Sequence, residues 1–235
     1  MVNLLRVSTT NERKLHHRTS VRKIPTNRRS SRGYYSFRGV DCVAHESTVE
    51  RDFVMRMEFD EHVEKIVSQP VELSYIDLNG RKQRYTPDYL VYFRNPERKP
   101  MLVEVKEREE LLEKFQKLKP KFAKAFAIAK QEGWIFKIYD ERRIHGILLE
   151  NIRKLRNFSV SSVPDEARHF LLDSLNKTQL PITVKQFLES CTKDRDEYLQ
   201  TIGRIWWLAR HHLVYLDLSS PLSQNTQIVE AKKYV

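Results

Sequence analysis

Cysteine is nearly absent from this chain: Cys42 and Cys191 are the two thiols in 235 residues. Two isolated thiols build neither a disulfide framework nor a cysteine-based zinc cluster, so a reducing compartment is expected. Glycine is also scarce, at six residues, and no glycine-rich phosphate loop occurs, which argues against nucleotide hydrolysis by this chain. No apolar run approaches the roughly 20 residues needed to cross a bilayer. The opening stretch MVNLLRVSTTNERK holds too short an apolar segment for a secretory signal, so a cytoplasmic location is expected. No internal repeat or low-complexity tract is evident.

What is present is a hydrophobic content of 40% with 31% charged residues, enough to bury a core as one large domain or two small ones. The net charge is +11, and it is concentrated at one end. Residues 1–39 hold ten Arg or Lys against the single acid Glu12, so the rest of the chain is close to balanced. An arm rich in Arg, Ser, Thr and Asn, without an apolar face, suits nucleic-acid phosphates better than a membrane surface. Arg22, Lys23, Arg28, Arg29, Arg32 and Arg38 are the DNA-binding candidates; a merely solvated tail is the plainer alternative.

From Ser47 the spacing of Val49, Phe53, Val54 and Met57 predicts a helix, with Ser47 and Glu50 as a capping box. Residues 62–78 then alternate as a strand does, and Asn79-Gly80 predicts a hairpin whose second strand is RKQRYTPDYLVYF, carrying Asp88. MLVEVK at 101–106 reads as a further, central strand. Helical spacing returns over 107–132, with Pro120 expected to open a second helix and Gly133 to stop it. A strand at 134–139 and a helix around Ile147–Leu155 complete a mixed α/β layer. After the polar stretch 157–166, helices are expected over 165–176, 183–190 and 194–209, then a strand at 213–218, the pattern of a winged-helix-like module. Trp206 is expected in its core; Trp207 fits core or partner anchor equally.

The expected organisation is a basic arm over 1–39, an α/β domain over 40–158, and a small winged-helix-like domain with a short tail over 159–235. The expected chemistry lies in the α/β domain. Side chains alternate along a strand, so Glu104 and Lys106 share a face while Val103 and Val105 point into apolar packing. If Asp88 sits beside them on the neighbouring strand, the Asp88 and Glu104 carboxylates form a hard-oxygen site suited to magnesium and to cutting phosphodiesters, with Glu50 available for a second ion and Lys106 to orient or help deprotonate the attacking water. Singly, each residue has a plainer reading: Glu50 as helix cap, Asp88 as a strand-entry residue, and Glu104 with Lys106 as a solvated salt bridge. The pairs His16-His17 and His211-His212 lack ligand spacing and read as arm and helix-end residues.

These residues carry a resemblance. Pro87-Asp88 followed by Glu104-Val105-Lys106 resembles the motif of the PD-(D/E)xK nucleases of restriction-endonuclease-like fold. The ordered set RGYYSFRG, ESTVERDFVMRMEFD, QPVELSY, RYTPDYLV and VEVK is similar to the TnsA family, the endonuclease subunits of Tns-type bacterial transposons, over about residues 30–150. The resemblance implies a restriction-endonuclease-like mixed sheet flanked by helices, in a bacterial cytoplasmic protein. It implies a magnesium-dependent endonuclease, with manganese as a substitute, that cuts the 5′ strands at transposon ends. Its partners would be the DNA ends, a TnsB transposase and a TnsC AAA+ ATPase, with no membrane. By resemblance Glu50, Asp88 and Lys106 take the family's catalytic roles. Glu104 stands where some members have glutamine, which leaves its direct ligation open, and the Val105 carbonyl is a further possible metal ligand. The alternative is a DNA-binding adaptor that keeps the fold without the chemistry.

Overall fold

The computed structural model describes residues 20, 32–158 and 162–233. The first element among the described residues is a hairpin, β1 (Gly33–Phe37) paired antiparallel to β2 (Asp41–His45). Tyr35 and Phe37 on alternate positions of β1 are buried in the core, so the last residues of the expected arm belong to the folded domain. Two inward aromatic rings outweigh the basic character of the surrounding sequence. Arg22, Lys23, Arg28 and Arg29 lie outside the described residues.

Helix α1 (Thr48–Phe59) starts as the sequence predicts: Ser47 Oγ accepts the Glu50 N–H at 3.1 Å. The Glu50 side chain returns a bond, but to the main-chain N–H of Glu46 rather than that of Ser47. Next come β3 (Val63–Ser68), β4 (Leu73–Ile76), β5 (Lys82–Tyr85) and β6 (Tyr89–Phe93). The turn falls where Asn79-Gly80 places it. Asp77 Oδ1 collects the N–H groups of Asn79 and Arg81, and Gly80 takes the left-handed conformation at φ +74° that glycine allows.

The predicted strands around that turn need correction. Residues 62–78 form two strands, broken at Gln69-Pro70, where Gln69 sits at φ +49°. The hairpin is the small β4–β5 sheet, and its second strand ends at Tyr85. Asp88 lies after it, at the entrance to β6 in the central sheet. Pro87 supplies no N–H, so a ladder cannot run through it, and the chain changes sheet there.

β7 (Met101–Val105), α2 (Arg108–Gln131), β8 (Ile135–Tyr139), α3 (Glu141–Ile144) and α4 (Ile147–Arg156) follow. The central sheet has the order β3-β6-β7-β8, antiparallel except for the parallel pair β7–β8. β7 is central, as expected. One face of the sheet packs on α1, α3 and α4 through Phe53, Tyr89, Val103 and Val105; the other packs on α2 through Leu90, Leu102, Ala125 and Ala129. Pro120 does not open a new helix: α2 runs through it for 24 residues and stops before Gly133. A proline removes one N–H, and the orphaned carbonyl belongs to exposed Gln116, where water can serve it.

Beyond residue 161 lie α5 (Asp165–Lys177), β9 (Ile182–Thr183), α6 (Val184–Cys191), α7 (Arg195–Arg210), β10 (Val214–Leu216) and β11 (Gln227–Ala231). The helices match the expected spans; β9 and β11 are additional. The strands pair antiparallel in the order β10-β11-β9. Trp206 is buried in this core, and Trp207 stacks on His211 at a ring distance of 3.9 Å.

The two modules share a wall. On α4, Leu149 and Ile152 belong to the first core and Leu155 to the second. Asn151, fully buried between them, donates to the carbonyls of Leu218 and Ser220 and accepts the Leu222 N–H. Among the described residues no helix is long and apolar enough to cross a membrane.

Candidate active site

The antiparallel register sets Tyr89 opposite Val103, so one step further Asp88 falls beside Glu104. Asp88 Oδ2 accepts the Val105 N–H at 2.6 Å, which fixes the carboxylate at the end of β7. A strand entrance and a neighbouring strand's exit thereby deliver Asp88, Glu104 and Lys106 to one place. The expected alternation of VEVK also holds: Val103 and Val105 pack in the α1-side core, while Glu104 is buried on the α2 side.

Glu50 approaches from the N-terminus of α1. Its Oε2 accepts the Glu46 N–H at 2.7 Å and lies 3.4 Å from the Tyr89 hydroxyl, one residue after Asp88. The capping role and the place beside the carboxylates therefore coexist in one side chain.

The charges feel one another. Burial first, then the carboxylates of Glu104 and Glu50, push the Asp88 carboxyl well above its ordinary range; the Val105 N–H and Lys106 pull it back only in part. Burial likewise raises Glu50, with Glu46 adding to it, against the lowering pull of the Glu46 N–H, Ser47 and Lys106. For Lys106 burial alone would lower the pKa, but Glu104, Glu110, Asp88 and Glu50 together raise it. Its ammonium also lies 3.6 Å from Glu110. Lys106 is thus held protonated at neutral pH.

Glu104 is fixed from two sides. Tyr85 donates its hydroxyl to Oε2 at 2.7 Å, and Lys121 of α2 reaches Oε1 at 2.8 Å. Neither partner was singled out from sequence, where each lies 17 or more residues away on another element. Gln69 is another addition. Its N–H donates to the Asp88 carbonyl, its Nε2 donates to Glu46, and its buried Oε1 finds no partner among the described residues. Its left-handed backbone was the feature that strand periodicity concealed.

Of the DNA-binding candidates within the described residues, Arg32 pairs with Glu46 at 3.4 Å. Arg38 turns inward: its guanidinium donates to the carbonyls of Val63, Glu58 and Asp60. Cys42 and Cys191 are unpaired thiols, and His211 and His212 close α7.

Residues 60–141 match a family model described as the TnsA-like endonuclease N-terminal domain. The match takes in Asp88, Glu104 and Lys106 and begins after Glu50. No curated protein matches the chain. The family match and the carboxylate–lysine cluster coincide on the same strands, and residues 60–141 are similar to a TnsA-like endonuclease N-terminal domain.

Proposed function

We propose that this protein is a magnesium-dependent DNA endonuclease that cuts the 5′, non-transferred strands at transposon ends. The carrying observation is the convergence of Asp88, Glu50, Glu104 and Lys106 at the entrance of β6 and the exit of β7.

The donor set fits a small, hard divalent ion. Its atoms are carboxylate oxygens that repel one another as they stand, with the buried, unpartnered amide oxygen of Gln69 beside them. Among the described residues no three His, Cys, Asp or Glu form a cage of their own. Magnesium commonly takes one or two carboxylates and leaves the rest of its shell to water and substrate phosphate. Asp88 and Glu50, with the Val105 carbonyl and Glu104 as further oxygen donors, would hold it. Bound there, the ion would polarise the scissile phosphate and offset the charge that develops on it.

The chain's own groups have distinct tasks. The Val105 N–H orients Asp88, and Tyr85 and Lys121 orient Glu104. Lys106, held protonated, donates to a phosphate oxygen or to the attacking water and lends positive charge.

The C-terminal module we read as a winged helix that docks protein partners, a TnsB-type transposase and a TnsC-type ATPase. The order α5-β9-α6-α7-β10-β11, with β9 joining the two later strands through β11, supports this reading. The basic N-terminal segment we assign to the DNA backbone.

A titration of magnesium, manganese and calcium, followed by thermal melting with a short duplex present, tests the site on wild type and Asp88→Ala. Metal should stabilise the wild type and not the variant. In a reconstituted reaction with both partners, 5′-strand cleavage should vanish in Asp88→Ala; cleavage retained by a folded variant would sink the assignment.

A further inference from the structure

At the opposite end of β6 and α1 from Asp88 and Glu50, the two modules enclose a cavity of about 870 Å³. Six residues of extended chain separate Asp88 from Arg94 at its rim, about 20 Å. Arg38, Arg94 and Arg156 line it from the first module, Arg210 and Lys232 from the second.

Two carboxylates face these five cations, and both are already engaged. Glu58, 5% exposed, accepts the Tyr35 hydroxyl and the Arg38 N–H and pairs with Arg210 at 3.0 Å. Glu61 accepts from Tyr215 at 2.6 Å and pairs with Lys232 at 3.1 Å. The guanidinium of Arg38 donates to three main-chain carbonyls rather than to a carboxylate. Arg94 spends only its Nε, on the Glu61 carbonyl at 2.8 Å, and its two terminal nitrogens make no hydrogen bond within the described residues. Among the described residues that line the recess, positive charge therefore exceeds negative. Burial and then the neighbouring Arg94 and Arg210 lower Arg38 despite Glu58 and Asp60; burial, with Arg210, Lys232 and Arg38, lowers His212 despite Glu61.

We propose that this cavity binds a phosphate-bearing anion that bridges the two modules. A guanidinium fork matches paired phosphate oxygens, and Arg94 keeps its two terminal nitrogens for one. The volume lies in the range of small-ligand sites, well above what a simple halide fills. The inference is independent of the nuclease reading, because it uses none of the residues at Asp88. The same chemistry is carried by a free phosphorylated ligand and by the backbone of a nucleic-acid strand.

The test uses the full chain, isothermal titration with inorganic pyrophosphate and with a short duplex at matched ionic strength, and three charge reversals. Arg94→Glu and Lys232→Glu change one wall each; Arg81→Glu, on the exposed β4–β5 turn, makes the same charge change elsewhere. Saturable pyrophosphate binding is expected, weakened tenfold or more by each wall variant and less than twofold by Arg81→Glu. If duplex affinity falls in step with the wall variants, the anion is backbone phosphate. If duplex affinity is unmoved while pyrophosphate binding is lost, it is a free ligand. Absence of saturable binding of either probe, or equal weakening by all three variants, overturns the proposal.

Discussion

Lys121 Nζ sits 2.8 Å from Glu104 Oε1, an ion pair buried between α2 and the central sheet, with the lysine 14% and the glutamate 3% exposed. Removing the lysine alone leaves a buried carboxylate without its nearest counter-charge. Such a loss costs about 3–5 kcal/mol, whereas neutralising both partners costs much less. Lys121→Met is expected to fall in that range by urea unfolding, and Glu104→Gln added to it should recover most of the loss. A double-mutant cycle reads the coupling directly.

Asp88 and Glu50 should make the metal-free protein less stable as pH rises. Both are raised in the folded state, so above the ordinary carboxylate pKa of about 4 the folded chain holds protons that the unfolded chain has released. Their favourable contribution is full below that pH and is lost as pH climbs through the raised values. In chelator, Asp88→Asn should melt above wild type at pH 7, with the gap closing towards pH 4. A variant that melts lower throughout would contradict this.

Asn151 is expected to hold the joint between modules. Replacement by leucine removes the three hydrogen bonds by which this buried side chain holds the Leu218 and Ser220 carbonyls and the Leu222 N–H. The expected cost is about 2–4 kcal/mol. Faster proteolysis around residues 217–222 should accompany it.

The basic segment and Arg38 should separate in function. Deleting residues 1–31 is expected to flatten the salt dependence of DNA binding, since the slope counts phosphate contacts. Arg38→Ala, by contrast, should cost about 1–3 kcal/mol of stability, because three carbonyls lose a charged donor. An unchanged salt slope after the deletion would remove the arm from the interface.

What the sequence made legible follows from local rules. Ser47 and Glu50 start α1, Asn79-Gly80 marks a turn, and the alternation of VEVK sorts Glu104 from its valine neighbours. What it concealed depends on partners distant along the chain. Whether TPDYLVYF continues a hairpin or enters another sheet is decided by pairing with β3, which periodicity does not encode. Tyr85 and Lys121 gain meaning only once β5 and α2 flank Glu104. Pro120 misled because a single lost N–H is a weak penalty when the orphaned carbonyl meets water. β11 has too little alternation to announce itself without β10 and β9.

Helix α4 gives successive turns to different hydrophobic interiors, Leu149 and Ile152 to one and Leu155 to the other. Melting either interior strips the other of part of its lining. The chain should therefore denature in a single cooperative transition, although its sequence divides cleanly in two. A nuclease fragment ended near residue 158 would expose Leu155 and Phe59 to water and would tend to self-associate through that wound.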